Sequence, residues 1–376
     1  MKITAAVLYE PNRHFELKQL DLAPPQTGEV LVKVAAAGVC HSDWHLATGA
    51  TAHNLPVVAG HEGAGIVEVV GDGVTTIQPG DHVALNWAPN CGTCFYCVHD
   101  RPSLCDTYID PIWDGTMMDG TTRLSENGQP VYHYSATACF AEYTVVPQEC
   151  CIPLDKRIPL PIAALIGCAV TTGVGAVINT AQVKPGSSVA VFGAGGVGLS
   201  IIMGAKLAGA KQIIAIDQNE SKRAIAESFG ATDTLLASAD VVTTIRAMTA
   251  GRGADYTFEA IGLPAVQELC LEAVRPGGLV VLTGLAPMGS NTNLPGSVIV
   301  RQEKTVTGSY YGSMHPARDF PLYGELYLQN KLDLDRLVSQ TYSLSQINEA
   351  YQAMLNGNLA RGVILFGSLG LSVQRS

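Results

Sequence analysis

Residues 188–217, SVAVFGAGGVGLSIIMGAKLAGAKQIIAID, constrain the fold more than any other stretch of the chain. An apolar, β-type run (Val189, Ala190, Val191, Phe192) leads into Gly193, Gly195 and Gly198, spaced G-x-G-x-x-G. A helix-type segment and a second apolar run ending on Asp217 follow. A glycine triplet alone is a weak signal, but here it follows a strand, opens a helix and precedes an acidic strand end at the right distance. Gly196 lies in the same loop. Such a loop lets the backbone approach a pyrophosphate, and the unpaired N–H groups of the first helical turn attract the anion. A carboxylate at Asp217 can accept from the adenosine ribose hydroxyls and repels a 2′-phosphate, which favours NAD over NADP.

The alternation continues with strands over Ala254–Glu259, Gly278–Thr283 and Thr305–Tyr310 and a helix over Ala265–Val274, the pattern of a doubly wound parallel sheet. The rest of the chain reads differently. Residues 1–36 alternate apolar and polar positions between Pro11, Pro24, Pro25 and Gly28. Gly63–Val70 and Asp81–Leu85 continue that pattern, and GDGVTTIQPGDHV reads as turn, strand, turn, strand. The opening segment is thus a small β-barrel-type domain. Residues 106–135 read as a long surface excursion and Phe140–Val146 as a strand. Near the end, Phe320–Gln329 reads as a helix, and SLSQINEAYQAMLNGNLARGVILF as a capped helix stopped at Gly357 and followed by a strand that folds back onto the first domain. At 376 residues, two domains are the natural expectation.

Residues 158–183 contain no charged side chain, long enough to raise the question of a membrane span. Two prolines and several Gly, Thr, Asn and Gln positions argue for a buried helical segment between domains instead. The net charge of −10 argues against nucleic acid and anionic membrane surfaces as partners. The N-terminus lacks the apolar core of a signal peptide, so the expected location is the cytoplasm.

Two groups of metal-ligating side chains stand out. In GVCHSDWHLATGATAHNLPVVAGHE (38–62), Cys40 and His61 flank a short loop, with Asp43 and Glu62 close to one or the other. A thiolate and an imidazole are ligands zinc prefers, and nearby carboxylates orient them. The second group, Cys91, Cys94, Cys97 and Cys105, has the spacing C-x2-C-x2-C-x7-C. Four thiolates so close in sequence can enclose one tetrahedral zinc without bound water, which is a structural site. The spacing fits neither a disulfide framework nor the usual iron–sulfur patterns.

Taken together, GVCHSD (38–43), GHE (60–62), the four-cysteine lobe, GCAVTTG (167–173), GAGGVG (193–198) with Asp217, and NLARGVI (358–364) resemble the zinc-dependent alcohol dehydrogenases of the medium-chain dehydrogenase/reductase family, over nearly the whole chain. The resemblance implies an α/β protein made of a GroES-like β-barrel catalytic domain (1–169), a doubly wound Rossmann coenzyme domain (170–311) and a return segment (312–376) that completes the first. It implies Cys168 as third ligand of a catalytic zinc with Cys40 and His61, Glu62 behind the metal and Asp43 on His61. Ser42 takes the substrate proton and His45 ends the relay. Thr172 and Val197 pack near the nicotinamide, Lys222 lies beside the adenosine ribose, and His41 and Arg361 contact the pyrophosphate. His41 departs from the Arg often found there, which weakens the phosphate grip. The longer segment 106–135 resembles the typically dimeric branch.

The expected activity is interconversion of an alcohol with its aldehyde or ketone, using NAD and two zinc ions per chain. The expected substrate pocket is lined by Trp44, Trp87, Tyr108, Trp113, Leu285 and Tyr311. Two alternatives remain: a dehydrogenase acting on a thiol adduct of formaldehyde, and a non-redox lyase on the same scaffold. The thiol-adduct enzymes carry an Arg shortly after the fourth lobe cysteine. This chain reads DTYIDPIWD there, without one.

Overall fold

The computed structural model describes residues 1–357 and 359–367. Asn358 of the terminal NLARGVI motif and the end of the return segment, 368–376, lie outside the described residues. The chain divides into two compact units. One comprises Met1–Cys168, His315–Asn330 and Leu334–Ser376, the other Ala169–Met314 and Lys331–Asp333.

In the first unit, strands Lys2–Leu8, Glu16–Leu22, Leu124–Glu126, Gln129–His133 and Val57–Val58 close into a barrel. The alternation seen in sequence does the work: Ile3, Ala5 and Val7 pack with Leu20, Leu22, Val58, Leu124 and Val131 in one buried cluster. A second sheet centres on Glu29–Gly38, which pairs with Glu62–Val70, Tyr143–Pro147 and Arg361–Leu365. Val30, Val32 and Val34 face one core cluster and Leu31 the other, so this strand is buried on both faces. The late helix, Ile347–Leu355, follows a capping box formed by Ser343 and Gln346, and stacks Tyr351 on Phe15 at 5.4 Å.

Two expectations are corrected. No strand forms within GDGVTTIQPGDHV before His82. Of Val74–Gln78 only Ile77 is buried, too little apolar surface to hold a strand between two tight turns. The segment 106–135 is not a surface excursion throughout, because it supplies two barrel strands and a buried ion-pair network. Arg123, 3% exposed, donates from Nε and Nη2 to the two oxygens of Glu29 at 2.8 and 2.6 Å, and from Nη2 to Asp119 at 2.8 Å.

His133 sits against this network, fully buried, with Nε2 accepting the Arg123 N–H at 3.2 Å. Burial, then the charge of Arg123 and the proximity of His53, push its pKa down to about 3. The unfolded chain therefore takes up a proton near the ordinary histidine pKa of ~6.5 that the folded chain refuses. The stabilisation is complete above that pH and is lost as pH falls towards 3, by up to about 1.4 kcal/mol per pH unit. His133→Gln keeps an acceptor for Arg123 but cannot titrate. Urea titrations at pH 4 to 7 are expected to show a shallower pH dependence in the variant, by up to one proton.

The second unit is a six-stranded parallel sheet in the order Asp233–Leu236, Gln212–Asp217, Ser188–Phe192, Ala254–Glu259, Val274–Leu282, Thr305–Gly308. The strand order reverses between Ser188–Phe192 and Ala254–Glu259, the switch point of a doubly wound sheet. The uncharged segment forms the helix Leu160–Ala181. Its mean hydropathy of 2.0 reflects a core position, with 89% of the apolar window buried. Cys168 lies in a π-helical turn, Ile166–Val170, of that helix.

Candidate active site

Three features of the first unit bring Cys40, His61 and Cys168 together. Cys40 caps the short helix His41–Ala47 at the end of the Glu29–Gly38 strand. His61 precedes the Glu62–Val70 strand, and the π-turn supplies Cys168. The ligand atoms of the three lie within 4.8 Å of one another, all buried. His61 Nε2 is 3.2 Å from Cys168 Sγ, while Nδ1 faces Asp43 Oδ1 at 3.0 Å. The carboxylate holds the proton on Nδ1 and leaves the Nε2 lone pair pointing at the two sulfurs. Asp43 also accepts the Gly60 N–H at 3.0 Å. Gly60, at φ +92°, has no room for a Cβ, which would come 2.7 Å from the Phe140 nitrogen.

Glu62 lies behind this trio. It pairs in register with Gly38, where a Cβ would come 2.6 Å from the Glu62 side chain. Burial pushes Glu62 up to about 8, against the pull of the Arg361 guanidinium. Arg361 is itself buried. It donates from Nη1 to the Val39 carbonyl at 3.1 Å, and its Nη2 lies 3.5 Å from Glu62 Oε2. The guanidinium of Arg361 thus faces Glu62 and the Val39 carbonyl. His41 is exposed.

Ser42 is half-buried, with Oγ 3.8 Å from the Cys40 thiol, and His45 is half-buried on the same helix. Tyr134, absent from the sequence reading, donates its hydroxyl to the Ser42 carbonyl at 3.1 Å and stands edge-on to His61 at 5.9 Å. Trp87 stands edge-on to the same imidazole at 6.1 Å. Of the expected pocket residues of this unit, Trp87 is therefore beside the trio, and two others, Trp44 and Tyr108, are corrected. Trp44 is two positions from Ser42 on a helix, on nearly the opposite side. It packs on Tyr351 and lines a cavity of about 250 Å³ to which none of the trio contributes. Tyr108 is buried with its hydroxyl committed to Glu149 at 2.8 Å, and Trp113 is exposed. In the second unit, Leu285 is exposed and Tyr311 is buried.

The lobe cysteines also converge, with ligand atoms within 4.8 Å of one another. Two thiolates bound to one tetrahedral zinc at ~2.3 Å stand about 3.8 Å apart. Cys94 and Cys105 Sγ are 3.8 Å apart. Hydrogen bonds from Thr107 and Thr93 hold the Cys91 thiol down at about 5, favouring the thiolate. The donor chemistry and spacing of both groups fit zinc.

In the second unit, Gly193 has φ +102°, and a Cβ on Gly198 would lie 1.8 Å from the Gly193 carbonyl oxygen. A Cβ on Gly195 would meet nothing within 4 Å, which leaves an open cradle at the start of the Gly196–Leu207 helix. Asp217 accepts from the Ala194 N–H at 2.8 Å and the Asn219 N–H at 2.9 Å, which fixes its carboxylate beside that cradle. Thr172 and Lys222 are buried and Val197 is half-buried in this unit.

Comparison with known proteins agrees with this geometry. Residues 26–156 match the family described as alcohol dehydrogenase GroES-like domain, and residues 196–328 the zinc-binding dehydrogenase family. The chain is 40% identical over 374 residues to an S-(hydroxymethyl)glutathione dehydrogenase of Escherichia coli, covering 97% of this chain and 100% of that protein. The chain belongs to the zinc-dependent alcohol dehydrogenases. It is also 39% identical over 369 residues to the NDMA-dependent alcohol dehydrogenase of Amycolatopsis methanolica, covering 97% of this chain and 99% of the other. Among solved structures, benzyl alcohol dehydrogenase from Acinetobacter calcoaceticus superposes with a TM-score of 0.93 at 33% identity, covering 98% and 100%. In this zinc-dependent dehydrogenase the barrel is thus the GroES-like domain and the parallel sheet the Rossmann domain.

Proposed function

We propose that this dehydrogenase oxidises an alcohol to its aldehyde or ketone, and runs the reverse reduction, with NAD(H) as hydride carrier and two zinc ions per chain. The observation that carries the reading is the convergence of Cys40, His61 and Cys168, with Asp43 on the far nitrogen of His61. Three protein ligands leave a fourth position for substrate oxygen. Polarisation of that oxygen, with a lowered hydroxyl pKa, is the chemistry zinc supplies in such a site, and hydride acceptance is the chemistry of NAD.

The protein's own residues do the rest. Ser42 accepts the hydroxyl proton, and His45 returns it to solvent. Tyr134 fixes the backbone that carries Ser42. Glu62 and Arg361 balance charge behind the ligands. Cys91, Cys94, Cys97 and Cys105 hold the second ion and shape their loop. The fixed carboxylate of Asp217 supports NAD over NADP. All ten cysteines are unpaired, which supports a reducing, cytoplasmic setting. A homodimer is the proposed assembly.

The rings of Trp87 and Tyr134, both edge-on to His61, favour flat apolar substrates, in line with the name of the Acinetobacter relative. An NADH-linked screen of arylmethanols, linear primary alcohols and secondary alcohols tests this, alongside a metal count expected to give two zinc per chain. A zinc-replete protein that produces no NADH with any of them ends the reading in favour of non-redox chemistry. The second reading, oxidation of a thiol adduct, rests on the Escherichia coli relative. Formaldehyde oxidation that appears only on adding glutathione would establish it. The absence of an Arg in DTYIDPIWD predicts no such dependence.

A further inference from the structure

Asp43 is fully buried, yet only one of its carboxylate oxygens is satisfied. Oδ1 accepts from the Gly60 N–H and from His61 Nδ1, each at 3.0 Å. Oδ2 has no hydrogen-bond partner among the described residues. A carboxylate oxygen left bare in the interior is costly, so a donor is called for. The hydroxyl of Tyr351, a residue 1% exposed, is equally unpaired among the described residues.

The two orphaned atoms belong to one neighbourhood. Tyr351 packs on Trp44, the residue next to Asp43 on its helix, with ring centroids 5.7 Å apart. It also stands edge-on to Phe140 at 6.3 Å. The Phe140 nitrogen is the atom that leaves no room for a Cβ on Gly60, and Gly60 is the residue that donates to Oδ1. The tyrosine ring thus spans the two pieces of backbone that the Asp43 carboxylate joins. Burial, and after it the charges of Asp43 and Cys40, raise the Tyr351 pKa well above the usual tyrosine range. Its hydroxyl is therefore turned towards the carboxylate and keeps its proton. The hydroxyl of Tyr134 is already committed to the Ser42 carbonyl. A phenol can both donate and accept, whereas a carboxylate oxygen only accepts, so a water between the two would satisfy both. Buried waters characteristically sit where polar atoms are otherwise unpaired.

We propose that Tyr351 is a positioning residue for the His61 side of the metal site: its hydroxyl holds a buried water that donates to Asp43 Oδ2. The carboxylate is then fixed at both oxygens. His61 is thereby kept with its proton on Nδ1 and with Nε2 aimed at the two sulfurs. This rests on the zinc reading given above.

The test uses the full chain and equilibrium competition for zinc against a chromophoric chelator. Tyr351→Phe removes only the hydroxyl and keeps the ring against Phe15, Trp44 and Phe140. It raises the zinc Kd of the Cys40, His61 and Cys168 site by about tenfold, while the four-cysteine lobe stays within about twofold of the parent. A double-mutant cycle reads the route through Asp43: in an Asp43→Asn background, adding Tyr351→Phe changes that Kd by less than about twofold. A parental Kd in Tyr351→Phe overturns the proposal, and so does an equal loss in both backgrounds, which marks packing alone. Should the Asp43→Asn chain not fold or not take up zinc there, a high-resolution crystal structure of the zinc-loaded parent decides. A water within hydrogen-bond reach of Tyr351 Oη and Asp43 Oδ2 supports the proposal, and an Oδ2 without that water overturns it. A parent protein that takes up no zinc at Cys40, His61 and Cys168 defeats the zinc reading instead, so the two failures are distinct.

Discussion

On the proposed two-zinc reading, replacing Cys168 with alanine lowers the zinc content by one ion per chain and reduces kcat/KM by about 10⁴-fold or more, with the fold retained. Of the three ligands it is the one whose loss disturbs the rest least. It lies inside a buried helix whose backbone does not depend on the thiol, whereas Cys40 leads directly into the short helix that carries Ser42 and Asp43, and His61 anchors Asp43. Two protein ligands bind zinc too weakly to survive dialysis, and without the metal no group in the site lowers the hydroxyl pKa. Metal analysis, circular dichroism and steady-state kinetics on one preparation check all three parts. A variant that keeps both ions, or keeps its activity with one, would show that this cysteine is not a ligand.

The largest stability effect is expected at Arg123. Removing the guanidinium in Arg123→Met leaves Glu29 buried without its charged partner, with only the Gln26 N–H still donating to Oε2 at 3.0 Å. Breaking a buried pair in this way costs about 3–5 kcal/mol. Asp119, by contrast, is 41% exposed at its side chain and is rescued by water. Urea unfolding followed by tryptophan fluorescence should show the first unit melting at lower denaturant, and adding Glu29→Gln to the variant should recover part of the loss. A double variant no more stable than Arg123→Met alone would place the cost elsewhere, in lost packing of the arginine stem.

What could be read beforehand was whatever the chain encodes locally. The glycine loop, the lobe cysteines and the Cys40–His61 pair each lie within about thirty residues, and their geometry follows from short-range spacing. Cys168 is different. It is 107 residues from His61, in an apolar segment where a packing cysteine reads identically, so only the resemblance singled it out. The pairs Glu62–Arg361 and Glu29–Arg123 were illegible because their charges meet through strand register across the sheet and barrel, and one-dimensional patterns do not record it. Tyr134 was hidden by its setting, in a polar stretch whose burial becomes visible only once Leu124 and Val131 are seen to complete a barrel. Trp44 was misplaced because composition suggests an aromatic pocket, but the rotation of a single helical turn decides which way a ring faces.

The strand carrying Arg361 is the last described strand of the chain and pairs with Ala36–Gly38, near its beginning. During synthesis, then, the sulfur and imidazole donors emerge from the ribosome long before the guanidinium that neutralises Glu62. A nascent chain halted before residue 361 would lack both the strand that pairs with Ala36–Gly38 and the guanidinium that faces Glu62, so the wall behind Cys40 and His61 closes only once residue 361 and its strand have been made.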